Sequence, residues 1–107
     1  MRVKKAVQYR FKAKIFRALS DPVRLEIIEY LRGEEKCVCE IIPHIGLIQP
    51  VVSRHLRILK HCGLVKDKKA GNRRIYSVAE PRIFEIIDCL TPELIDSLSK
   101  RVIEQIA

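Results

Sequence analysis

Cys37 and Cys39, separated by one valine, are the only closely spaced thiols in the chain. Thiolates are soft ligands that favour As(III), Cd, Zn or Cu(I) over hard cations. On a regular helix, residues two apart point about 200° from each other and cannot share an ion. In an extended or bent segment they share a face. Joint ligation with bonds near about 2.3 Å needs sulfurs roughly 4 Å apart, so a bound ion would hold Lys36–Glu40 unwound or bent. Two ligands leave a site incomplete. The candidates for a third are Cys89, including a copy from a partner subunit, Cys62, and an external thiol. The same residues admit a redox reading, in which Cys37 or Cys39 pairs with Cys89 or carries a persulfide and the segment bends likewise. In a plainer reading all four cysteines are small core hydrophobes. A short chain without a secretion signal is expected to keep them reduced.

The second group with chemical potential is cationic. Eight Lys or Arg lie between Gln49 and Arg74 against one acid, Asp67, and the formal net charge is +8. Such focusing favours a polyanionic partner, nucleic acid ahead of a membrane surface. A second basic cluster (Arg2, Lys4, Lys5, Arg10, Lys12, Lys14, Arg17) lies near the start of the chain.

These residues need elements to position them. Phe11, Ile15 and Leu19 recur at helical spacing over residues 4–19. Ser20-Asp21-Pro22 reads as a cap with proline in the first turn, and Gly33 closes a helix carrying Val23, Ile27, Ile28 and Leu31. Lys36–Cys39 reads as extended and leads into a brief helix, Glu40–Ile45; Pro43 fits there only if the helix starts late. Residues 49–62 form the next helix, with Pro50 at its start and Gly63 past its end. Val52, Leu56 and Leu59 make its inner face, and Ser53, Arg54, Arg57 and His61 its outer one. Strands near 64–68 and 74–78 flank the turn Ala70-Gly71-Asn72. Pro81 and Pro92 open two further helices, bearing Ile83, Ile86, Ile87 and Leu90, then Ile95, Leu98, Val102 and Ile106. The expected fold is mainly α with a small β-hairpin, a winged helix-turn-helix forming one domain over residues 1–107.

In that arrangement 49–62 is a recognition helix for a major groove. Gln49 suits adenine edges, Arg54 guanine edges, and Ser53 bases or phosphate. Arg57 and Lys60 lie further along and suit phosphates. The wing, about 64–78, offers Lys68, Lys69, Asn72, Arg73 and Arg74 to the backbone or minor groove.

The stretches Ala18-Leu-Ser-Asp-Pro-Val-Arg-Leu25, Lys36-Cys-Val-Cys-Glu-Ile41, Gln49-Pro-Val-Val-Ser-Arg-His-Leu56, Cys62-Gly-Leu-Val65 and Arg74-Ile-Tyr-Ser77 resemble the ArsR/SmtB family of small winged-helix repressors released from DNA by metal ions. The Cys37-Val38-Cys39 stretch resembles its arsenic- and cadmium-sensing branch. The resemblance implies a homodimer built from the first and last helices (4–19 and 81–106), operator DNA as partner and a thiophilic inducer. It carries DNA contacts to Gln49, Ser53 and Arg54, and metal ligands to Cys37 and Cys39. Ile48 stands where the family often has a capping serine, and Pro50 and Val51 replace small polar residues. Ile42 stands where arsenic sensors often have a third cysteine. Residues 93–107 contain no histidine, which excludes the zinc site of the last helix.

Other classes have less support. There is no Ser/His/Asp set, carboxylate pair or phosphate-cradling glycine loop, so an enzyme is not expected. His55 reads as packed and hydrogen-bonded, His61 as exposed, and His44 as a stray ligand candidate. No apolar run suits a membrane span, and the expected location is the cytoplasm. An interaction module that uses its basic face on an acidic protein is the alternative outside gene regulation.

Overall fold

The computed structural model describes residues 2–106. The chain runs α1 (Arg2–Leu19), α2 (Pro22–Tyr30), β1 (Lys36–Cys37), α3 (Val38–Ile45), α4 (Gln49–His61), β2 (Val65–Ala70), β3 (Arg73–Val78), α5 (Ile83–Asp88) and α6 (Pro92–Ile106). The fold is the mainly helical winged helix-turn-helix expected.

Local chemistry sets the boundaries. Asp21 caps α2 by accepting from the backbone N–H groups of Val23 (2.8 Å) and Arg24 (3.2 Å), and Pro22 occupies the first turn. The wing is a two-residue hairpin. Gly71 takes φ 66°, a left-handed value that glycine adopts without a Cβ clash, and the strands run longer than their alternation suggested. Antiparallel β1 adds a third strand, giving the order β1-β3-β2 with Cys37 opposite Ile75.

Two expectations are corrected. Cys39 is helical, and α3 starts at Val38 instead of Glu40. The reason is a capping box. The Cys37 sulfur accepts from the Cys39 N–H at 3.1 Å, and the Glu40 carboxylate accepts from the Cys37 N–H at 3.0 Å. Pro43 therefore sits inside the helix, where it has no N–H for the Cys39 carbonyl. Pro81 likewise precedes α5, which begins at Ile83.

The core lies where α2, α3 and α4 meet the sheet. Ile27, Ile28, Leu31, Ile41, Val52, Leu56 and Leu59 are essentially inaccessible, and Ile83 and Phe84 anchor α5 against them. Arg32 ties α5 to α2, donating to Asp88 at 2.8 and 3.0 Å with its guanidinium 4.0 Å from the Phe84 ring centre. The terminal helices are different. No residue of α6 is buried, and Ile95, Leu98, Val102 and Ile106 are all at least 48% exposed. Phe16 of α1, Ile86 and Leu90 continue this apolar face around a cleft of about 420 Å³. No described helix is long and apolar enough to cross a membrane.

Candidate nucleic-acid interface and thiol pair

Helix α4 is fixed from one side only. Val52, Leu56 and Leu59 bury one stripe, which turns Arg54, Arg57 and His61 outward. Gln49 is exposed at the first turn and Ser53 is half-buried on the flank. The helix enters after Gly46, whose φ of 79° terminates α3, and its N-cap Ile48 makes no side-chain hydrogen bond. The first-turn N–H groups of α4 therefore lack the usual side-chain acceptor. His55 is half-buried and hydrogen-bonded, with Nδ1 3.2 Å from the Arg24 guanidinium, as its flank position suggested.

The wing presents Lys68, Lys69, Asn72, Arg73 and Arg74 as exposed side chains. Lys69 and Arg74 are directly opposed across the hairpin, a like-charge pair that an isolated hairpin disfavours. Asp67 offsets it. Its side chain is 7% exposed and takes Lys60 Nζ at 2.9 Å on one oxygen and Arg74 at 2.8 Å on the other. These cations hold the Asp67 carboxyl below its ordinary value, Lys60 contributing most, while partial burial opposes them.

Sequence reasoning counted Asp67 only as the lone acid of a basic stretch. In three dimensions it locks the end of α4 to the wing. It also divides the ten expected DNA-contacting residues. Lys60 and Arg74 are engaged with Asp67, and Lys68 contacts Glu35 at 3.2 Å. Arg54, Arg57, Lys69 and Arg73 have no carboxylate within ion-pair distance among the described residues. Asp67 could have been found from its register: it stands opposite Tyr76, two rungs from Lys69–Arg74 and within diagonal reach of Arg74.

Cys37 and Cys39 come together at the β1–α3 junction. Their Cα atoms are 5.0 Å apart and their Sγ atoms are joined as a disulfide. The extended backbone of Cys37 (φ −68°, ψ 145°) followed by a helical turn puts both sulfurs on one side, in the reach a disulfide requires. The redox reading set either cysteine against Cys89; the structure instead places Cys37 and Cys39 against each other. Cys37 is 2% exposed, whereas Cys39 is open to solvent.

The third-ligand candidates stand apart. Cys62 is half-buried and donates to the Leu59 carbonyl, and Cys89 is exposed at the end of α5. No group of three or more His, Cys, Asp or Glu suited to a metal occurs among the described residues. His44, the stray candidate, stacks on Tyr30 at 3.7 Å.

Comparison with known proteins agrees with this geometry. A family model described as "Bacterial regulatory protein, arsR family" matches residues 21–67. The uncharacterized HTH-type transcriptional regulator MJ1325 of Methanocaldococcus jannaschii is 40% identical over 92 residues, covering 85% of this chain and 98% of that protein. A probable mercury resistance operon repressor of Streptomyces lividans is 39% identical over 75 residues, 70% of this chain but only 60% of the repressor. Among solved structures, the homodimeric winged helix-turn-helix DNA-binding domain of Mb0332 from Mycobacterium bovis superposes with a TM-score of 0.79 at 28% identity, covering 88% of this chain and 90% of that one.

Proposed function

Because the chain belongs to the arsR family of bacterial regulatory proteins, we propose that it is a homodimeric, sequence-specific DNA-binding repressor of the cytoplasm, released from its operator by a soft metal or metalloid ion. The observation that carries this reading is the division of charge around α4. Its outward Arg54 and Arg57 and the wing's Lys69 and Arg73 are held on a rigid frame by the Asp67 lock.

Each element then has a role. Helix α4 enters the major groove, where Gln49, Ser53 and Arg54 meet base edges near its N-terminus and Arg57 holds phosphate. Lys60 and Arg74 keep the wing at a fixed angle, and Lys68, Lys69, Asn72 and Arg73 straddle the backbone. A second copy covers the apolar stripes of α1, α5 and α6, where Phe16, Ile86, Leu90, Ile95, Leu98 and Val102 stand exposed. The relative from Streptomyces lividans, named as a mercury resistance repressor, supports an ion as inducer.

The reduced Cys37–Cys39 pair supplies two sulfurs to that ion, and Cys89 of the partner subunit or an external thiol completes the set. As(III), Cd, Zn and Cu(I) have the matching softness. Cys37 is also the cap of α3, so ligation takes its sulfur from the helix terminus. Helix α3 is joined to α4 through the short Gly46–Ile48 connection, and a change at the cap reaches α4 with little slack. A coupling of about 1–3 kcal/mol suffices to shift operator occupancy, and DNA must weaken ion binding by the same factor. A redox version of the switch has its own support in the adjacency of the two sulfurs.

The test is anisotropy of labelled DNA from upstream of the gene, titrated with reduced protein and then with each ion. Tight, sequence-preferring binding lost with one soft ion supports the proposal. Tight binding indifferent to every ion but lost on oxidation moves the switch to thiol redox. Absence of any preference over random duplex refutes the regulator reading and promotes an interaction module.

A further inference from the structure

Helix α1 carries seven Lys or Arg and no acid in its 18 residues, and the contacts assigned above to α4 and the wing leave these charges unused. They are not evenly placed. Arg10, Lys14 and Arg17 follow at steps of four and three, which puts them on one face of the helix. Lys14 and Arg17 then line a groove of about 300 Å³ with Arg24 of α2 and His61 at the end of α4, over a floor of Ala18, Ile58 and Cys62.

No carboxylate lines this groove, and none lies within ion-pair distance of Lys14, Arg17 or Arg24 among the described residues. Arg24 is immobilised by neutral acceptors. Nε donates to the Ala18 carbonyl at 2.6 Å, and the guanidinium contacts His55 Nδ1 at 3.2 Å and the Arg17 carbonyl at 3.4 Å. Its charge is therefore oriented but not cancelled. The nearby Asp21 carboxylate is spent on the N-terminus of α2. Three permanent cations around one groove repel each other in the free protein, and an anion relieves that repulsion.

The groove is continuous with the outward face of α4. Arg54, Ile58 and His61 follow at steps of four and three, so one stripe leads from a base-facing position to the groove over about 10 Å of helix. A duplex lying along α4 brings backbone phosphates past that end.

We infer that the α1–α4 groove is a phosphate site, in which Lys14 and Arg17 hold a phosphodiester of the DNA flanking the bases read by α4. The inference rests on the proposed DNA-binding role and extends its footprint to α1. The contact reads no sequence: it adds affinity and salt dependence equally for every duplex.

The test compares wild type with K14Q/R17Q and with K4Q/K5Q, which removes the same charge from the same helix away from the groove. All four side chains are exposed, and far-UV circular dichroism checks the fold. Affinity for operator and for random duplex is measured over a KCl series. K14Q/R17Q should flatten the slope of log K against log[KCl] by about 1 to 2 for both duplexes, with roughly tenfold weaker binding, because each phosphate contact contributes about 0.9 to the slope. K4Q/K5Q should stay near wild type. An unchanged slope in K14Q/R17Q, or equal flattening in K4Q/K5Q, overturns the site. Loss of operator preference in the wild type would refute the regulator reading instead, and the random-duplex series would still decide this one.

Discussion

Replacing Asp67 with asparagine keeps the side chain's shape and removes its charge at the junction of α4 and the wing. The carboxylate receives two charge-assisted hydrogen bonds, at 2.9 Å from Lys60 and 2.8 Å from Arg74. Such bonds contribute about 1.5–3 kcal/mol each when protected from water. Lys60 and Arg74 are about half exposed, so solvent reduces each contribution, and asparagine still accepts from one partner. We expect D67N to lose about 1–2 kcal/mol, a fall in Tm of roughly 5–15 °C at fixed protein concentration. The sign with pH follows from the lowered Asp67 pKa. A depressed carboxyl contributes stability above its unfolded value and loses it as pH falls through the folded one, so the gap between wild type and D67N closes below about pH 4. On DNA the variant should move in opposite directions. Freed Lys60 and Arg74 tighten binding to random duplex and steepen its salt slope, while the loosened wing lowers preference for the operator. Thermal melting by circular dichroism and anisotropy on both duplexes provide the readouts. A Tm within about 1 °C of wild type together with an unchanged operator-to-random ratio would refute the lock, since both effects come from the same two contacts.

Three further outcomes are expected. Arg54→Ala should weaken operator binding by about 1–3 kcal/mol and relax selection at one base pair, measured against a panel of single-base operator variants. Cys37→Ala should remove the cap of α3 at about 1 kcal/mol, whereas Cys37→Ser restores an acceptor there; both should abolish the sulfur-to-metal charge-transfer absorbance of a bound soft ion, and equal melting of the two would contradict the capping role. Leu98→Glu combined with Val102→Glu should give monomers in sedimentation velocity, because both side chains lie on the uncovered stripe of α6.

Much of this was legible from residue order. Helix α4 is marked by Pro50 and Gly63, and its buried stripe of Val52, Leu56 and Leu59 sets which side chains face out. The shared face of Cys37 and Cys39 was expected from an extended segment, and it arises instead from an extended Cys37 capping a helix that already contains Cys39. The start of α3 was hidden because its cap is a cysteine, outside the Ser, Thr, Asp and Asn set that usually signals a helix terminus. The extended reading of Lys36–Cys39 finds strand β1 in its first two residues, but its pairing with β3 is not visible in so short a segment. The role of Asp67 has two halves. The hairpin register reveals its diagonal to Arg74, whereas its bond to Lys60 depends on how the turn after α4 folds that helix end onto the wing, which no periodicity encodes. The phosphate groove likewise requires three helices to converge.

Helix α6 has a consequence for how long the protein lasts in a cell. A 15-residue helix that buries none of its residues against its own chain is barely stable alone in water. In the proposed homodimer its order comes from the second copy, which makes folding of the C-terminal region a bimolecular event governed by mass action. When the protein is scarce, dissociated chains expose α6 and its apolar stripe to proteases; when it is plentiful, dimers conceal them. On that proposal the protein's lifetime rises with its own concentration. A homodimeric repressor of this build would then be removed faster than dilution once its synthesis falls past the dimerisation threshold, and its genes would open more abruptly than DNA affinity alone dictates.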